Sequence, residues 1–176
     1  MKISATLNKK LKATKLFLCD VDGVLTDGAI YMGHGVESKR FNIRDGLGMK
    51  FLQVHGIRVG WVSRRPSSAT QQRADDLKID FLVQHNGGKI EGVEGILRQT
   101  GMDWTDVCYV GDDVVDIGVL KRVGLAVVPG DGTADTKKCA DYVTKAQGGN
   151  GAVREVVEMI LKAQNKWKRV IAEYAN

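Results

Sequence analysis

The sequence predicts a doubly wound α/β fold, in which helices cover both faces of a mostly parallel sheet. Short apolar runs alternate along the chain with longer segments whose apolar residues recur at helical spacing. The first run, Leu16 to Cys19, is apolar throughout, which is typical of a strand buried on both faces. The length of 176 residues, 43% of them apolar, fits one domain over 1–176.

Local patterns predict the elements at the start of the chain. Apolar residues recur every four positions ahead of the first strand and predict a short amphipathic helix: Ile3, Leu7 and Leu11. Two short strands, 29–32 and 37–43, flank Gly33-His34-Gly35 and predict a polar hairpin. A hairpin does not fit the alternation of strands and helices, so we expect residues 29–43 to project from the layered core. A helix ending at His55 follows.

The remaining elements alternate as the fold requires. Apolar runs predict four further core strands, at 57–62, 80–83, 107–110 and 125–128. Helices are predicted between them: 66–78, 90–99 and a segment ending at 123. From Ala152, apolar residues at helical spacing predict one long amphipathic helix: Val153, Val156, Val157, Ile160, Leu161, Trp167 and Ile171.

Polar residues follow the core strands and define a candidate site. They are Asp20 and Asp22, Ser63, Lys89, and Asp112 and Asp113. Because the carboxyl ends of parallel strands share one edge of a sheet, we expect these side chains to converge. Simpler interpretations exist, since Ser63 could belong to a turn and Asp112 could cap a helix. Lys89 at a helix start opposes the helix dipole, which predicts an anionic neighbour.

The candidate site has the composition of a magnesium and phosphate site. Paired carboxylates suit a hard divalent cation such as Mg²⁺, while a hydroxyl and an ammonium suit a phosphate. Zinc is not expected, because the three histidines are scattered along the chain. The chain has no P-loop motif, and its Gly-x-Gly segments lack the third glycine of a dinucleotide site.

Composition argues against two classes of partner. The net charge of +5 is compatible with nucleic-acid binding, but the lysines concentrate at the chain ends, where solvated helix faces explain them. No apolar run reaches the roughly 20 residues that span a bilayer. We therefore expect neither nucleic acid nor membrane as a partner. Three cysteines without paired spacing and an N-terminus without a signal-peptide pattern predict a cytoplasmic protein.

At this point the motifs resemble those of the haloacid dehalogenase superfamily, in the same order and on the same strand ends: Asp20-Val-Asp22-Gly-Val-Leu-Thr26, Ser63, Lys89 and Gly111-Asp112-Asp113. Further segments resemble the branch of that superfamily that dephosphorylates 3-deoxy-D-manno-octulosonate 8-phosphate: Thr26-Asp27-Gly28, Phe41 to Gly46 and Gly148 to Glu155. The resemblance covers about residues 10 to 165. Two departures lie near the expected substrate mouth: Ser63-Arg64-Arg65 replaces the usual Thr-Gly-Arg, and Asn150 replaces a frequent arginine.

The resemblance implies a capless, Rossmann-type phosphatase that works through an aspartyl-phosphate on Asp20. Asp22 is implied as general acid and base, with Ser63 and Lys89 on the phosphate. The implied Mg²⁺ ligands are the Asp20 carboxylate, the Asp22 carbonyl and Asp112, supported by Asp113. The implied contacts with the sugar acid are Asn42, Arg44, Asp45, Gly46, Arg65 and Arg73. For Arg65 and Arg73, a solvated helix face is the simpler alternative.

The resemblance also implies an assembly. The segments between Asp22, Ser63 and Lys89 are too short for a cap domain. In this family the hairpins assemble a homotetramer, which implies that a neighbouring subunit closes the site through 29–43 and residues near the C-terminus. Trp167 and Ile171 then need either core or a partner to bury against.

Two other functions stay open at this stage. The same fold can serve another nonulosonate phosphate, such as deaminoneuraminate 9-phosphate, and Arg65 favours the octulosonate only modestly. A phospho-receiver signalling domain also uses Asp, Ser or Thr, Lys and Mg²⁺. In a receiver, however, the acidic pair comes first and the phosphoacceptor two strands later, whereas here Asp20-x-Asp22 leads and a second acidic pair ends the fourth strand.

Overall fold

The computed structural model describes residues 3–33 and 35–175, so His34, at the predicted hairpin turn, lies outside the described residues. The helices are α1 (Ala5–Ala13), α2 (Ile43–Val54), α3 (Ser68–Leu77), α4 (Lys89–Thr100), α5 (Ile117–Leu120), α6 (Ala134–Lys137), α7 (Ala152–Ala163) and α8 (Trp167–Tyr174). The strands are β1 (Leu16–Cys19), β2 (Tyr31–Gly33), β3 (Val36–Ser38), β4 (Arg58–Ser63), β5 (Phe81–Gln84), β6 (Val107–Val110), β7 (Leu125–Val128) and β8 (Tyr142–Val143).

The predicted parallel sheet is confirmed. Six strands pair in the order β5-β4-β1-β6-β7-β8, and each neighbouring pair is parallel. The chain builds outward from β1 first through β4 and β5, and then on the other side through β6 to β8. The strand order therefore reverses at β1, which is the position where open α/β sheets bind ligands.

Side-chain alternation on β1 divides the core into two layers. Phe17 and Cys19 pack in a cluster with α1, α2 and α7, while Leu16 and Leu18 pack in a second cluster with α4 and α5. All four side chains are fully buried. Because successive residues of a strand face opposite sides, an unbroken apolar run is what a doubly covered sheet requires.

The hairpin is shorter than predicted. Its strands β2 and β3 pair antiparallel, but each has three residues, and the predicted strand through residue 43 is wrong. The side chain of Asn42 accepts the backbone N–H of Arg44 at 2.8 Å and caps α2, which begins at Ile43. An asparagine cap satisfies a free helical N–H, so the helix begins here.

The predicted single C-terminal helix is also wrong. Asn165 has a φ of 59° and ends α7, after which α8 begins at Trp167. Trp167 contacts the ring of Phe51 edge-on at a centroid distance of 6.1 Å, whereas Ile171 remains 53% exposed. The break thus gives Trp167 an intramolecular partner and leaves Ile171 on the surface.

Shorter elements complete the structure. The predicted helix ending at 123 is a 3₁₀ turn, Val114–Asp116, followed by α5, which ends at Leu120. Helix α6 and the two-residue strand β8 were not predicted, because segments this short carry no periodic signal. Within residues 3–33 and 35–175, no helix combines the length and apolar character needed to cross a membrane.

Candidate active site

The carboxyl ends of β1, β4 and β6 and the first turn of α4 surround one open cavity of about 510 Å³. The sequence-predicted residues that line it are Asp20, Asp22, Ser63, Arg65, Lys89, Asp112 and Asp113. Asn86 also lines it, and was not predicted. The structure therefore brings together the four polar signals that follow the core strands.

Asp20 follows the central strand and is buried at the base of the cavity. One carboxylate oxygen accepts the backbone N–H of Val21 at 2.6 Å, and the other accepts a hydrogen bond from the ammonium of Lys89. Burial and the nearby Asp116 carboxylate together raise the pKa of Asp20 to about 6, against the opposing effect of Lys89. A fixed, buried carboxylate is thus presented to the cavity.

Lys89 is the first residue of α4 and is buried between two carboxylates. Its ammonium contacts Asp20 and lies 2.6 Å from Oδ1 of Asp116. Burial lowers the pKa of Lys89, but the two carboxylates outweigh that effect and the net shift is upward. The anionic neighbour predicted from the opposing helix dipole is therefore present.

Asp116 is a site residue that the sequence reasoning missed. It is fully buried, and its Oδ1 accepts from Lys89 and from the hydroxyl of Tyr109, both at 2.6 Å. Its Oδ2 accepts the backbone N–H groups of Asp112 at 3.1 Å and Asp113 at 3.4 Å. The spacing Asp113-x-x-Asp116, which forms a capping box here, was a signal that could have identified it.

The residues present fit a divalent cation. Carboxylate oxygens of Asp20, Asp112 and Asp116 lie within 4.8 Å of one another. Oδ1 of Asp112 is buried and has no hydrogen-bond partner among the described residues. Burial and the nearby carboxylates of Asp20 and Asp116 together raise the pKa of Asp112 to about 7. Three carboxylates share one ammonium, so a cation would balance the remaining charge.

The hydrogen bonds within the cluster favour Asp20 and Asp112 over Asp116 as metal ligands. Each oxygen of Asp116 already accepts two hydrogen bonds, whereas each oxygen of Asp20 accepts one and Oδ1 of Asp112 accepts none, so Asp20 and Asp112 keep lone pairs for a cation. Gly23 makes room for this arrangement: its φ is +82°, and a Cβ there would collide with the Asp112 carboxylate. Asp113 is more peripheral, since its exposed side chain accepts the N–H of Val114 at 2.7 Å.

Asp22 and Ser63 line the cavity in different ways. The carboxylate of Asp22 forms an ion pair with Lys39, 2.7 Å away. The metal ligand that the family resemblance implies is the main-chain carbonyl of Asp22, which this ion pair does not involve. Ser63 ends β4, is buried, and its hydroxyl accepts the backbone N–H of Arg65 at 3.1 Å. Lys39 was not predicted as a site residue.

Of the six residues implied to contact the sugar acid, the cavity lining includes Arg65. Its guanidinium forms a two-fold ion pair with Glu37 of β3, one contact at 2.8 Å, so it is not simply a solvated charge. Arg73 instead pairs with Asp76 at 2.5 Å and lines a separate groove beside the hairpin.

Two of the implied contacts are buried within this chain. Asp45 is 1% exposed, and its carboxylate accepts the N–H groups of Gly151 and Arg154 at 3.2 and 2.7 Å, at the start of α7. Gly46 is buried beneath the Arg73 side chain. Within this chain, both residues are therefore part of the scaffold. Asn42 caps α2, and Arg44 is exposed on that helix.

Arg64 and Asn150, the two departures from the family pattern, lie in different parts of the structure. Arg64 lines the cavity and adds a second arginine beside Arg65. Asn150 accepts a hydrogen bond from Arg40 at 3.2 Å, and Arg40 also pairs with Asp27 at 3.0 Å. Of the two departures, Arg64 therefore adds positive charge to the cavity lining, whereas Asn150 lies outside that lining.

The parallel sheet and the acidic cluster at the end of its central strands define a haloacid dehalogenase-like hydrolase, and the family model of that description matches residues 82–156. The 3-deoxy-D-manno-octulosonate 8-phosphate phosphatase KdsC of Escherichia coli (strain B / BL21-DE3) is 39% identical over 165 residues, which are 93% of this chain and 88% of the relative. KdsC of Yersinia pestis is 41% identical over 153 residues, 86% of this chain and 82% of the relative. The chain belongs to this phosphatase family.

A solved structure extends the similarity to three dimensions. The 3-deoxy-D-manno-octulosonate 8-phosphate phosphatase of Moraxella catarrhalis, in complex with a magnesium ion, a phosphate ion and KDO, superposes with a TM-score of 0.93 at 37% identity. The match covers 96% of this chain and 97% of that chain. The predicted superfamily and its phosphatase branch are confirmed, and the phospho-receiver alternative is wrong.

Proposed function

We propose that the protein hydrolyses 3-deoxy-D-manno-octulosonate 8-phosphate with Mg²⁺ as cofactor. The observation that carries this proposal is the cluster of the buried Asp20 and Lys89 with the half-buried Asp112 at the end of the central strands, in a chain 39% identical to KdsC over 93% of its length. The Moraxella relative, in complex with magnesium, phosphate and KDO, supports both the cofactor and the sugar acid.

The proposed nucleophile is the Asp20 carboxylate. Lys89 and the N–H of Val21 hold it in place, so that one oxygen can attack phosphorus and form an aspartyl-phosphate while the bond from phosphorus to the sugar oxygen breaks. Asp22 gives a proton to the departing sugar oxygen and then accepts one from the water that attacks the aspartyl-phosphate. Inorganic phosphate leaves, and the Asp20 carboxylate is restored.

The cation site would use the Asp20 carboxylate, the Asp22 carbonyl and Asp112, with Asp113 nearby. When bound, Mg²⁺ supplies positive charge that offsets the repulsion between an anionic carboxylate and an anionic phosphate. Lys89 contributes in the same direction, and the hydroxyl of Ser63 donates to a phosphoryl oxygen. Asp116 acts through its hydrogen bonds to Lys89 and to the Asp112 backbone.

Arg65 is the proposed contact for the substrate carboxylate, because a guanidinium binds a carboxylate through two parallel hydrogen bonds. Glu37 occupies it in this structure, so the substrate carboxylate would compete with Glu37 for the same donors. The exposed Arg44 and the groove-lining Arg73 stand outside the cavity lining of this chain, and we assign any contact by them to a neighbouring subunit's site.

The proposed organisation is one capless domain over 1–176 that works in the cytoplasm as a homotetramer. In support, the described residues between Asp22 and Lys89 form the hairpin and elements of the core, and the cavity is open. Met32 and Val36 on the hairpin are 73% and 61% exposed, and apolar side chains this exposed favour burial against another subunit.

A phosphate-release assay across sugar phosphates in Mg²⁺ tests the proposal. We expect 3-deoxy-D-manno-octulosonate 8-phosphate to give the highest kcat/KM, and Asp20→Asn to abolish turnover while the far-UV circular dichroism spectrum is retained. A higher kcat/KM for deaminoneuraminate 9-phosphate would show that this compound is the preferred substrate. Multiple turnover by a deamidation-free Asp20→Asn protein would show that Asp20 is not the nucleophile.

A further inference from the structure

Lys39 is a buried lysine that connects the hairpin to the cavity. It follows β3 directly, and its side chain is 0% exposed. Its ammonium lies 2.7 and 3.0 Å from the two carboxylate oxygens of Asp22, and 3.2 Å from the hydroxyl of Thr70 on α3. Glu37 of β3 lies 3.7 Å from the same ammonium. Burying an ammonium is unfavourable unless it has partners. Here Oδ2 of Asp22 and the Thr70 hydroxyl accept hydrogen bonds from Lys39, and Oδ1 of Asp22 lies within ion-pair distance.

We infer that Lys39 is a positioning residue that holds the Asp22 carboxylate in the orientation needed for proton transfer to the leaving oxygen. The inference rests on the proposed function, in which Asp22 is the general acid and base. The ammonium contacts both oxygens of that carboxylate, which restricts rotation of the aspartate side chain about its two torsions.

The position of the ammonium is itself determined by separate elements. Thr70 is fully buried on α3, and Glu37 lies on β3, where Arg65 and Ser67 hold it through hydrogen bonds of 2.8 Å. The orientation of Asp22 therefore depends on the base of the hairpin as well as on its own loop. A misplacement of about 1 Å in a catalytic group can reduce a rate by about 10².

This role makes a prediction that a purely structural role does not. A general acid matters most when the leaving oxygen is a strong base, and matters little when the leaving group departs readily as an anion. Loss of Lys39 should therefore impair phenyl phosphate hydrolysis more than 4-nitrophenyl phosphate hydrolysis. Both substrates are small and lack the sugar acid, so differences in sugar binding do not contribute.

The experiment measures kcat and KM on both aryl phosphates in saturating Mg²⁺ for the wild type, Lys39→Met, Lys39→Arg, Asp22→Asn and the Lys39→Met, Asp22→Asn double variant. Lys39→Gln replaces Lys39→Met should the latter fail to fold. Lys12→Met is the charge control, because Lys12 is exposed on α1, ahead of β1. Circular dichroism verifies the fold of each variant.

We expect Lys39→Met to lower kcat on phenyl phosphate by about 10- to 100-fold, with KM little changed. On 4-nitrophenyl phosphate, the loss should be less than about threefold. Lys39→Arg, which keeps a cation, should recover part of the loss, and Lys12→Met should match the wild type. In the Asp22→Asn background, Lys39→Met should cause no further loss, since the carboxylate that it positions is already gone.

Equal losses on both substrates, or a full additional loss in the Asp22→Asn background, would overturn the role of Lys39 alone. A different result identifies failure of the underlying proposal. If Asp22→Asn itself leaves phenyl phosphate hydrolysis unchanged, Asp22 is not the general acid and both inferences fail.

Discussion

Replacing Asp116 with asparagine should destabilise the protein strongly. The carboxylate accepts four hydrogen bonds, from Lys89, Tyr109 and the backbone of Asp112 and Asp113. An asparagine of the same shape has one acceptor oxygen, so either the Lys89 and Tyr109 side or the backbone side faces an NH₂ group. Two buried donors lose their acceptor in either orientation.

The magnitude follows from those contacts. Hydrogen bonds to charged groups contribute about 1.5–3 kcal/mol each, and breaking a buried ion pair costs about 3–5 kcal/mol. Lys89 keeps Asp20 as a partner, so we expect Asp116→Asn to lower the free energy of unfolding by about 3–5 kcal/mol. At about 2–4 °C per kcal/mol for a chain of this size, the Tm falls by about 6–20 °C.

Urea unfolding followed by circular dichroism, at one Mg²⁺ concentration, measures this change. Tyr109→Phe is the matched control, because it removes one donor to the charged carboxylate and leaves the carboxylate in place, so the expected loss is smaller, about 1.5–3 kcal/mol. If Asp116→Asn and Tyr109→Phe destabilise equally, the carboxylate does not organise the site and the reasoning from its four donors is refuted.

Three further predictions concern the cation and the substrate. Burial is the main reason that the pKa of Asp112 rises from its ordinary value of 3.8 to about 7 in the folded protein. The protonated Asp112 therefore stabilises the metal-free folded protein below about pH 4, and this contribution is lost as the pH rises through 7. Mg²⁺ competes with that proton, and the rise in Tm on adding Mg²⁺ should be larger at pH 8 than at pH 6; an equal rise would contradict an Asp112 ligand. Ca²⁺ should restore the EDTA-treated enzyme poorly, because it prefers more ligands at longer distances; full activity in Ca²⁺ would exclude an octahedral site. Arg65→Ala should weaken kcat/KM for the sugar-acid phosphate by the equivalent of about 1.5–3 kcal/mol while sparing 4-nitrophenyl phosphate, and equal losses would remove Arg65 from substrate recognition.

The strands and the strand-end residues were predictable because their signals are local. Four apolar residues in a row at 16–19 permit few structures other than a doubly buried strand, and parallel topology then places the following polar residues at one edge. The break between α7 and α8 was not predictable in the same way. Apolar spacing continues through Trp167, and only the left-handed conformation of Asn165 ends the helix.

Lys39 and Asp116 escaped prediction for a different reason. Lys39 lies in a polar hairpin segment, where a lysine is normally solvated, and its burial depends on a long-range contact with Asp22 and on Thr70 of α3. Asp116 lies within a turn, where its spacing from Asp113 indicates a helix cap. The cap is present, but the same carboxylate also binds Lys89, and no local pattern encodes that second contact.

The two aspartates of the Asp-x-Asp motif are distinguished by the lysines that hold them. Strand geometry alone would present the two carboxylates in the same direction and in similar surroundings. Instead, Asp20 is buried against Lys89 at the start of α4, whereas Asp22 is a quarter exposed and pairs with Lys39 at the base of the hairpin. In the proposed mechanism, the carboxylate fixed at the base of the cavity serves as the nucleophile, and the partly exposed carboxylate serves as the general acid and base. The division of labour that we propose within the motif therefore depends on two residues that lie 19 and 69 positions away from Asp20 in the sequence.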